Sequence, residues 1–117
     1  MSALTPAALK LMADFFKVLS ETSRLQIVCA LKDGAKNVTE IIEATDLGQA
    51  NVSKHLKVLT QAGIVTRRQQ GVSAYYRIED PLIFDLCSLV CNSLVERFES
   101  QNRPLQELNA IRKSFNA

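Results

Sequence analysis

Residues 46–63 read DLGQANVSKHLKVLTQAG, and the parsing of that stretch decides the fold. Asp46-Leu47-Gly48 is long enough only for a tight turn. After it, Val52, Leu56 and Leu59 recur at i, i+4 and i+7 on one face of a helix from about Gln49 to Ala62, closed by Gly63. Ala50, Lys54 and Lys57 fall roughly opposite, flanked by Asn51 and Ser53, so the outer face is polar and basic.

Working back along the chain, Asn37 followed three residues later by Glu40 forms an Asn-type capping box ahead of Val38, Ile41 and Ile42, which predicts a short helix over about 38–45. Helix, short turn, helix is the pattern. Before it, Ser20 can cap a helix over about 21–33 that Gly34 stops. Leu25, Val28 and Cys29 are read there as one face, so Cys29 is expected to point inward. Thr5-Pro6 opens a first helix ending near Ser20, with Leu9, Met12, Phe16 and Leu19 at helical spacing.

Beyond Ile64 the period changes to two. Val72, Ala74, Tyr76 and Ile78 alternate with Ser73, Tyr75 and Arg77, and Gln70-Gly71 separates the two runs, which predicts a two-stranded hairpin around Gly71. Asp80-Pro81 then starts a long helix carrying Leu82, Ile83, Leu86, Leu89, Val90, Leu94 and Phe98. Pro104 can restart a short amphipathic segment through Leu105, Leu108, Ile111 and Phe115. The expected class is mainly α with a two-stranded β-hairpin, in the order ααααββα. With 117 residues and 47% apolar side chains, one domain over 1–117 is expected.

Charge is distributed unevenly. Residues 47–78 hold Lys54, Lys57, Arg67, Arg68 and Arg77 and no Asp or Glu. The rest of the chain carries nine basic and twelve acidic residues, so a segment at +5 sits in a body at −3. Such asymmetry suits a polyanion. A helix pair of this kind matches the geometry by which a recognition helix enters the major groove. On that reading Lys54, Lys57, Arg67 and Arg68 meet phosphates, Gln49, Asn51 and Ser53 are candidates for base edges, and Gln70 and Tyr75 of the hairpin join the contact surface. One helix reads few bases, and two half-sites roughly 34 Å apart multiply specificity. The apolar first and fifth helices are the natural dimer interface. A rival reading uses the same basic surface to bind an acidic protein.

Other classes are disfavoured. No phosphate-binding glycine loop, paired-carboxylate motif or Cys-His arrangement appears at informative spacing, so neither catalysis nor a cofactor is expected. The start MSALTPAALKLMADFF lacks the basic onset and unbroken apolar run of a signal peptide, and a cytoplasmic protein is expected. Three cysteines, Cys29, Cys87 and Cys91, are an odd number and do not suggest a disulfide framework.

The stretches LSETSRLQIVCAL (19–31), LGQANVSKHLKVLTQAGIV (47–65) and TRRQQGVSAYYRI (66–78) resemble the second helix, recognition helix and wing of ArsR-type (ArsR/SmtB) winged-helix repressors. That resemblance covers residues 9 to about 98. It implies a homodimer joined through its first and last helices, which leaves operator DNA when a metal, metalloid or oxidant binds. The family's arsenic site needs a cysteine pair before the recognition helix, where Asn37-Val38-Thr39-Glu40-Ile41-Ile42 stands here. Its zinc site needs several histidines, and His55 is the sole histidine; it is expected to pack beside the core face or meet DNA.

Sulfur remains. Some relatives sense persulfides or peroxide through one cysteine on the second helix and one on the last, but Cys91 stands about a turn earlier than the usual last-helix position, which Val95 occupies. Cβ atoms at i and i+4 lie about 5–6 Å apart, against roughly 3.5–4.5 Å in a disulfide, so a direct Cys87–Cys91 bond would distort the helix. A bond or polysulfide bridge from Cys29 to Cys87 or Cys91 avoids that strain. Two alternatives stay open: a three-thiolate site for As(III) or another soft ion at Cys29, Cys87 and Cys91, or cysteines that are merely small buried hydrophobes.

Overall fold

The helices form where the apolar stripes of the sequence place them, and most are started by a local capping residue. A computed structural model describes residues 4–100 and 106–116. It divides into two compact units, with the boundary between Glu79 and Asp80.

The first unit opens with α1 (Pro6–Leu19), whose N-cap Thr5 accepts the Ala8 N–H at 3.1 Å through its hydroxyl oxygen. α2 spans Thr22–Ala30 and runs into a 3₁₀ turn at Leu31–Asp33. The expected Ser20 cap is replaced by Glu21, whose carboxylate accepts the Ser23 N–H at 3.2 Å. Ser20 is already engaged as the C-cap of α1, its hydroxyl donating to the Lys17 carbonyl at 2.8 Å. The buried stripe of α2 is Ile27 and Val28, continued by Leu31. Leu25 and Cys29 share the opposite edge, and both are exposed. The inward orientation expected for Cys29 is therefore wrong, because at 100° per residue Cys29 lies too far round from Ile27 and Leu31 to join their stripe.

α3 (Val38–Ala44) carries the expected capping box in full: Asn37 Oδ1 accepts the Glu40 N–H at 2.8 Å, and Glu40 Oε1 accepts the Asn37 N–H at 3.0 Å. Thr45 pins the turn that follows, its hydroxyl donating to the Ile41 carbonyl at 2.9 Å and accepting the Leu47 N–H at 3.3 Å. α4 runs Gln49–Gln61 and packs on α2 and α3. Its Val52, Leu56 and Leu59 are buried with Ile27, Val28 and Ile41 in the core of this unit.

After Gly63, at φ +78°, the chain enters β1 (Val65–Gln70), which pairs antiparallel with β2 (Ser73–Ile78). Gln70 faces Ser73, so the loop is Gly71-Val72, with Gly71 at φ +62° in the first loop position, where glycine is the residue that fits. Val72, expected in a strand, sits at the tip with its side chain fully exposed. Lys36 adds a single antiparallel bridge to Tyr76, accepting its N–H at 2.8 Å and donating to its carbonyl at 3.0 Å.

In the second unit Asp80 Oδ1 accepts the Leu82 N–H at 3.0 Å and starts α5 (Leu82–Ser100). A sixth helix, α6 (Gln106–Asn116), realises the amphipathic segment expected near the C-terminus and packs on α5. Pro104 and Leu105, expected to begin it, lie outside the described residues. Among the described residues no helix is long and apolar enough to cross a membrane.

Candidate nucleic-acid interface

The two faces of α4 are cleanly separated. Gln49, Ala50, Asn51, Ser53, Lys54 and Lys57 are exposed, whereas Val52, His55, Leu56 and Leu59 are buried. Burial of one stripe leaves the helix a single orientation, so these six residues, with the exposed Gln61 at the helix end, form one outward surface.

His55 belongs to the buried stripe, not to that surface. It is 7% exposed. Its Nδ1 lies 3.4 Å from Arg24 Nη1 and its Nε2 lies 3.1 Å from Glu21 Oε2, so both ring nitrogens face the start of α2. Arg24 Nε in turn donates to the Val18 carbonyl at the end of α1. Glu21 and Arg24 escape sequence reasoning, since nothing in their spacing marks them as partners of a histidine thirty residues on.

The hairpin follows α4 directly. The Ile64 N–H donates to the Leu59 carbonyl at 3.0 Å, and the Ile64 carbonyl accepts the Glu79 N–H at 2.9 Å, so the wing's base is tied to the helix end. Directly opposed residues share a face of an antiparallel sheet. Arg67 opposes Tyr76 and Gln69 opposes Ala74 on one face, while Thr66 and Arg77, Arg68 and Tyr75, and Gln70 and Ser73 occupy the other. Arg67, Arg68 and Gln70 are exposed and Tyr75 is half-buried. The two arginines expected to grip phosphate thus point to opposite sides of the wing.

Arg77 is charge-paired: its Nη2 lies 3.6 Å from Glu79 Oε2, and the same carboxylate accepts the Thr66 hydroxyl. Glu79 ends the acid-free window and offsets its last arginine. Arg67 Nη2 instead donates to the neutral Gln69 Oε1 at 3.0 Å, and Gln69 Nε2 donates to the Gly71 carbonyl at 3.0 Å. Gln69 escapes sequence reasoning: alternation puts it on the face of Arg67, but nothing in the spacing marks the hydrogen bond between them. The backbone role of Lys36 left no trace in the sequence, because a one-residue bridge has no period.

The thiols divide between the units. Cys29, on α2, is exposed; Cys87 is half-buried and Cys91 buried on α5. The Cys91 thiol donates to the Leu108 carbonyl of α6, 3.5 Å away. Burial pushes the Cys87 thiol above its ordinary pKa, and the neighbouring Cys91 adds to the rise. Burial likewise raises Cys91, partly countered by Arg112. Among the described residues no three His, Cys, Asp or Glu side chains are grouped to hold a metal ion.

A family model described as "Bacterial regulatory protein, arsR family" matches residues 21–67, which run from the cap of α2 into the wing. The uncharacterized HTH-type transcriptional regulator Rv0081 of Mycobacterium tuberculosis is 32% identical over 103 residues, 86% of this chain and 90% of its own length. The chain belongs to the ArsR family. It is accordingly a DNA-binding transcriptional regulator and not an enzyme. The crystal structure of Rv0081 superposes with a TM-score of 0.74 over 84% of this chain and 98% of that one. The solution structure of a homodimeric winged helix-turn-helix DNA-binding domain, Mb0332 of Mycobacterium bovis, is 29% identical with a TM-score of 0.68 over 88% of this chain and 96% of that one. The transcriptional repressor BigR of Xylella fastidiosa is 30% identical with a TM-score of 0.61, covering 84% and 93%.

Proposed function

We propose that this ArsR-family protein is a homodimeric, sequence-specific repressor that lays α4 in the major groove and the β1–β2 wing along the flanking backbone. The observation that carries it is the division of α4: an outward face of Gln49, Asn51, Ser53, Lys54 and Lys57, set by the burial of everything opposite. Gln49, Asn51 and Ser53 stand near the helix start, where side chains reach base edges. Lys54, Lys57, Arg67 and Arg68 supply phosphate contacts, with Gln70 and Tyr75 on the Arg68 side of the wing.

A second protomer accounts for the apolar surface of α1 and α5. Leu9, Leu11, Met12, Phe15 and Phe16 of α1 are exposed, as are Leu82, Leu89 and Val90 of α5. Covering them in a symmetric pair removes a cost that an isolated protomer would carry. The homodimeric Mb0332 domain supports this reading.

Release follows modification of thiols. Cys29 is the entry point, since Cys87 and Cys91 are shielded and held as neutral thiols. Attack of the Cys29 thiolate on a peroxide forms a sulfenic acid and expels water or an alcohol; a second thiol then displaces water to give a disulfide. A persulfide arises instead when the thiolate attacks the terminal sulfane sulfur of an organic hydropolysulfide: a new S–S bond forms, the donor's S–S bond breaks, and the shortened organic thiolate leaves.

Anisotropy titration of a duplex from upstream of the protein's own gene tests both parts. Tight binding weakened steeply by salt is expected. Loss of affinity with peroxide or polysulfide, reversed by dithiothreitol and absent in Cys29→Ser, supports the switch. Loss with arsenite alone points to a soft-metalloid site, and salt-insensitive, sequence-independent binding points to a protein-binding role for this surface.

A further inference from the structure

Of the three wing arginines, Arg77 is offset by a carboxylate, whereas Arg67 is held by an amide. The Arg67 guanidinium donates to Gln69 Oε1, and Gln69 Nε2 donates to the carbonyl of Gly71, both at 3.0 Å. The register permits this line. Arg67 and Gln69 are two apart on β1 and share a face, and Ala74 opposite Gln69 is too small to crowd the amide off the strand. Gln69 thus ties the guanidinium to the backbone of the turn.

A neutral restraint differs from an ion pair in its consequence. It narrows the conformations of a long side chain without cancelling its charge, and it uses one of five guanidinium N–H donors, leaving the others for a ligand. Only an amide of glutamine length can accept from Arg67 and donate to Gly71 together. Glutamate lacks the donor, and alanine lacks both groups.

We propose that Gln69 is a positioning residue for DNA binding: it holds Arg67 extended along the wing, pre-aimed at a phosphate, so that binding does not have to order the arginine. The role rests on the DNA-binding reading above. Arg67 makes the contact and Gln69 acts through it.

The test uses anisotropy on a duplex that wild type binds specifically, across a salt series, with Arg67→Ala, Gln69→Ala, Gln69→Met, Gln69→Glu and the Arg67→Ala/Gln69→Ala double variant. Thermal unfolding of each variant checks the hairpin. Arg67→Ala is expected to lower the salt slope by about one. Gln69→Ala and Gln69→Met are expected to weaken binding about 2- to 10-fold, the worth of one net hydrogen bond, with the slope kept. Gln69→Glu weakens binding and lowers the slope, because its charge cancels that of Arg67. In the Arg67→Ala background, Gln69→Ala costs nothing further. Wild-type affinity in Gln69→Ala, or an equal loss in both backgrounds, overturns the role while the DNA reading stands. A wild type that binds no duplex, with Arg67→Ala equally inert, overturns both.

Discussion

His55 Nδ1 accepts a hydrogen bond from Arg24 Nη1 at 3.4 Å, joining α4 to α2. A guanidinium has only donors, so the ring nitrogen is the acceptor there, while Nε2 lies 3.1 Å from the Glu21 Oε2 carboxylate oxygen. The ring therefore clamps α4 to α2 through its bond to Arg24 and its close approach to Glu21. His55→Ala opens a cavity and leaves the Arg24 guanidinium without its ring acceptor, and is expected to destabilise the fold by about 2–4 kcal/mol. Urea unfolding measures this. A loss below about 0.5 kcal/mol, the level of an ordinary surface change, contradicts the clamp.

The α3 capping box is expected to matter out of proportion to its size, because a helix of seven residues has little else to hold its first turn. Asn37→Ala should cost about 1 kcal/mol in chemical denaturation. Asn37→Asp, which keeps an acceptor for the Glu40 N–H, should cost clearly less.

Positioning and reading contacts on α4 should separate by their salt behaviour. Lys54→Ala and Lys57→Ala are each expected to weaken binding to all duplexes and to reduce the salt slope by about one. Asn51→Ala should leave the slope alone and cost about 1–3 kcal/mol only where the matching base pair is present. Anisotropy across salt and single-base variants distinguishes them.

The thiols should react in a fixed order. With Cys87 and Cys91 raised above their ordinary pKa of 9.0, fewer thiolates are present on α5 at neutral pH than in an unfolded chain. Iodoacetamide at neutral pH is expected to label Cys29 first, with the α5 pair catching up only as the pH rises through their raised pKa values. The sign for stability follows: folding favours the neutral thiols, so their contribution is complete below the unfolded pKa and is lost as pH rises through the folded ones. Mass spectrometry of peptides from native and denatured protein reads the order, and equal labelling in the native state at neutral pH refutes it.

Most of the architecture was legible because local signals agreed with the tertiary result. The Asn37–Glu40 box, Thr5-Pro6, and the i, i+4, i+7 stripe of α4 each state their element in the sequence itself. Failures came where two local solutions competed. Ser20 can start α2 or end α1, and the second use won. Cys29 is near enough to Val28 in sequence to suggest burial, but the stripe through Ile27 and Leu31 turns it outward. For the interface, alternation separates Arg67 from Arg68, yet the links that prepare the surface, Arg24 and Glu21 on His55 and Gln69 on Arg67, are tertiary or side-chain choices with no periodic trace.

The most direct test of the account is selection of bound duplexes from a random pool, followed by footprinting and stoichiometry on the winner. The expected result is an inverted repeat whose half-sites are centred about 10–10.5 base pairs apart or a multiple of that, occupied by two protomers and lost on removal of the α4 face by Asn51→Ala/Lys54→Ala. Enrichment of no sequence, or of a site bound by one protomer and indifferent to that face, would contradict it.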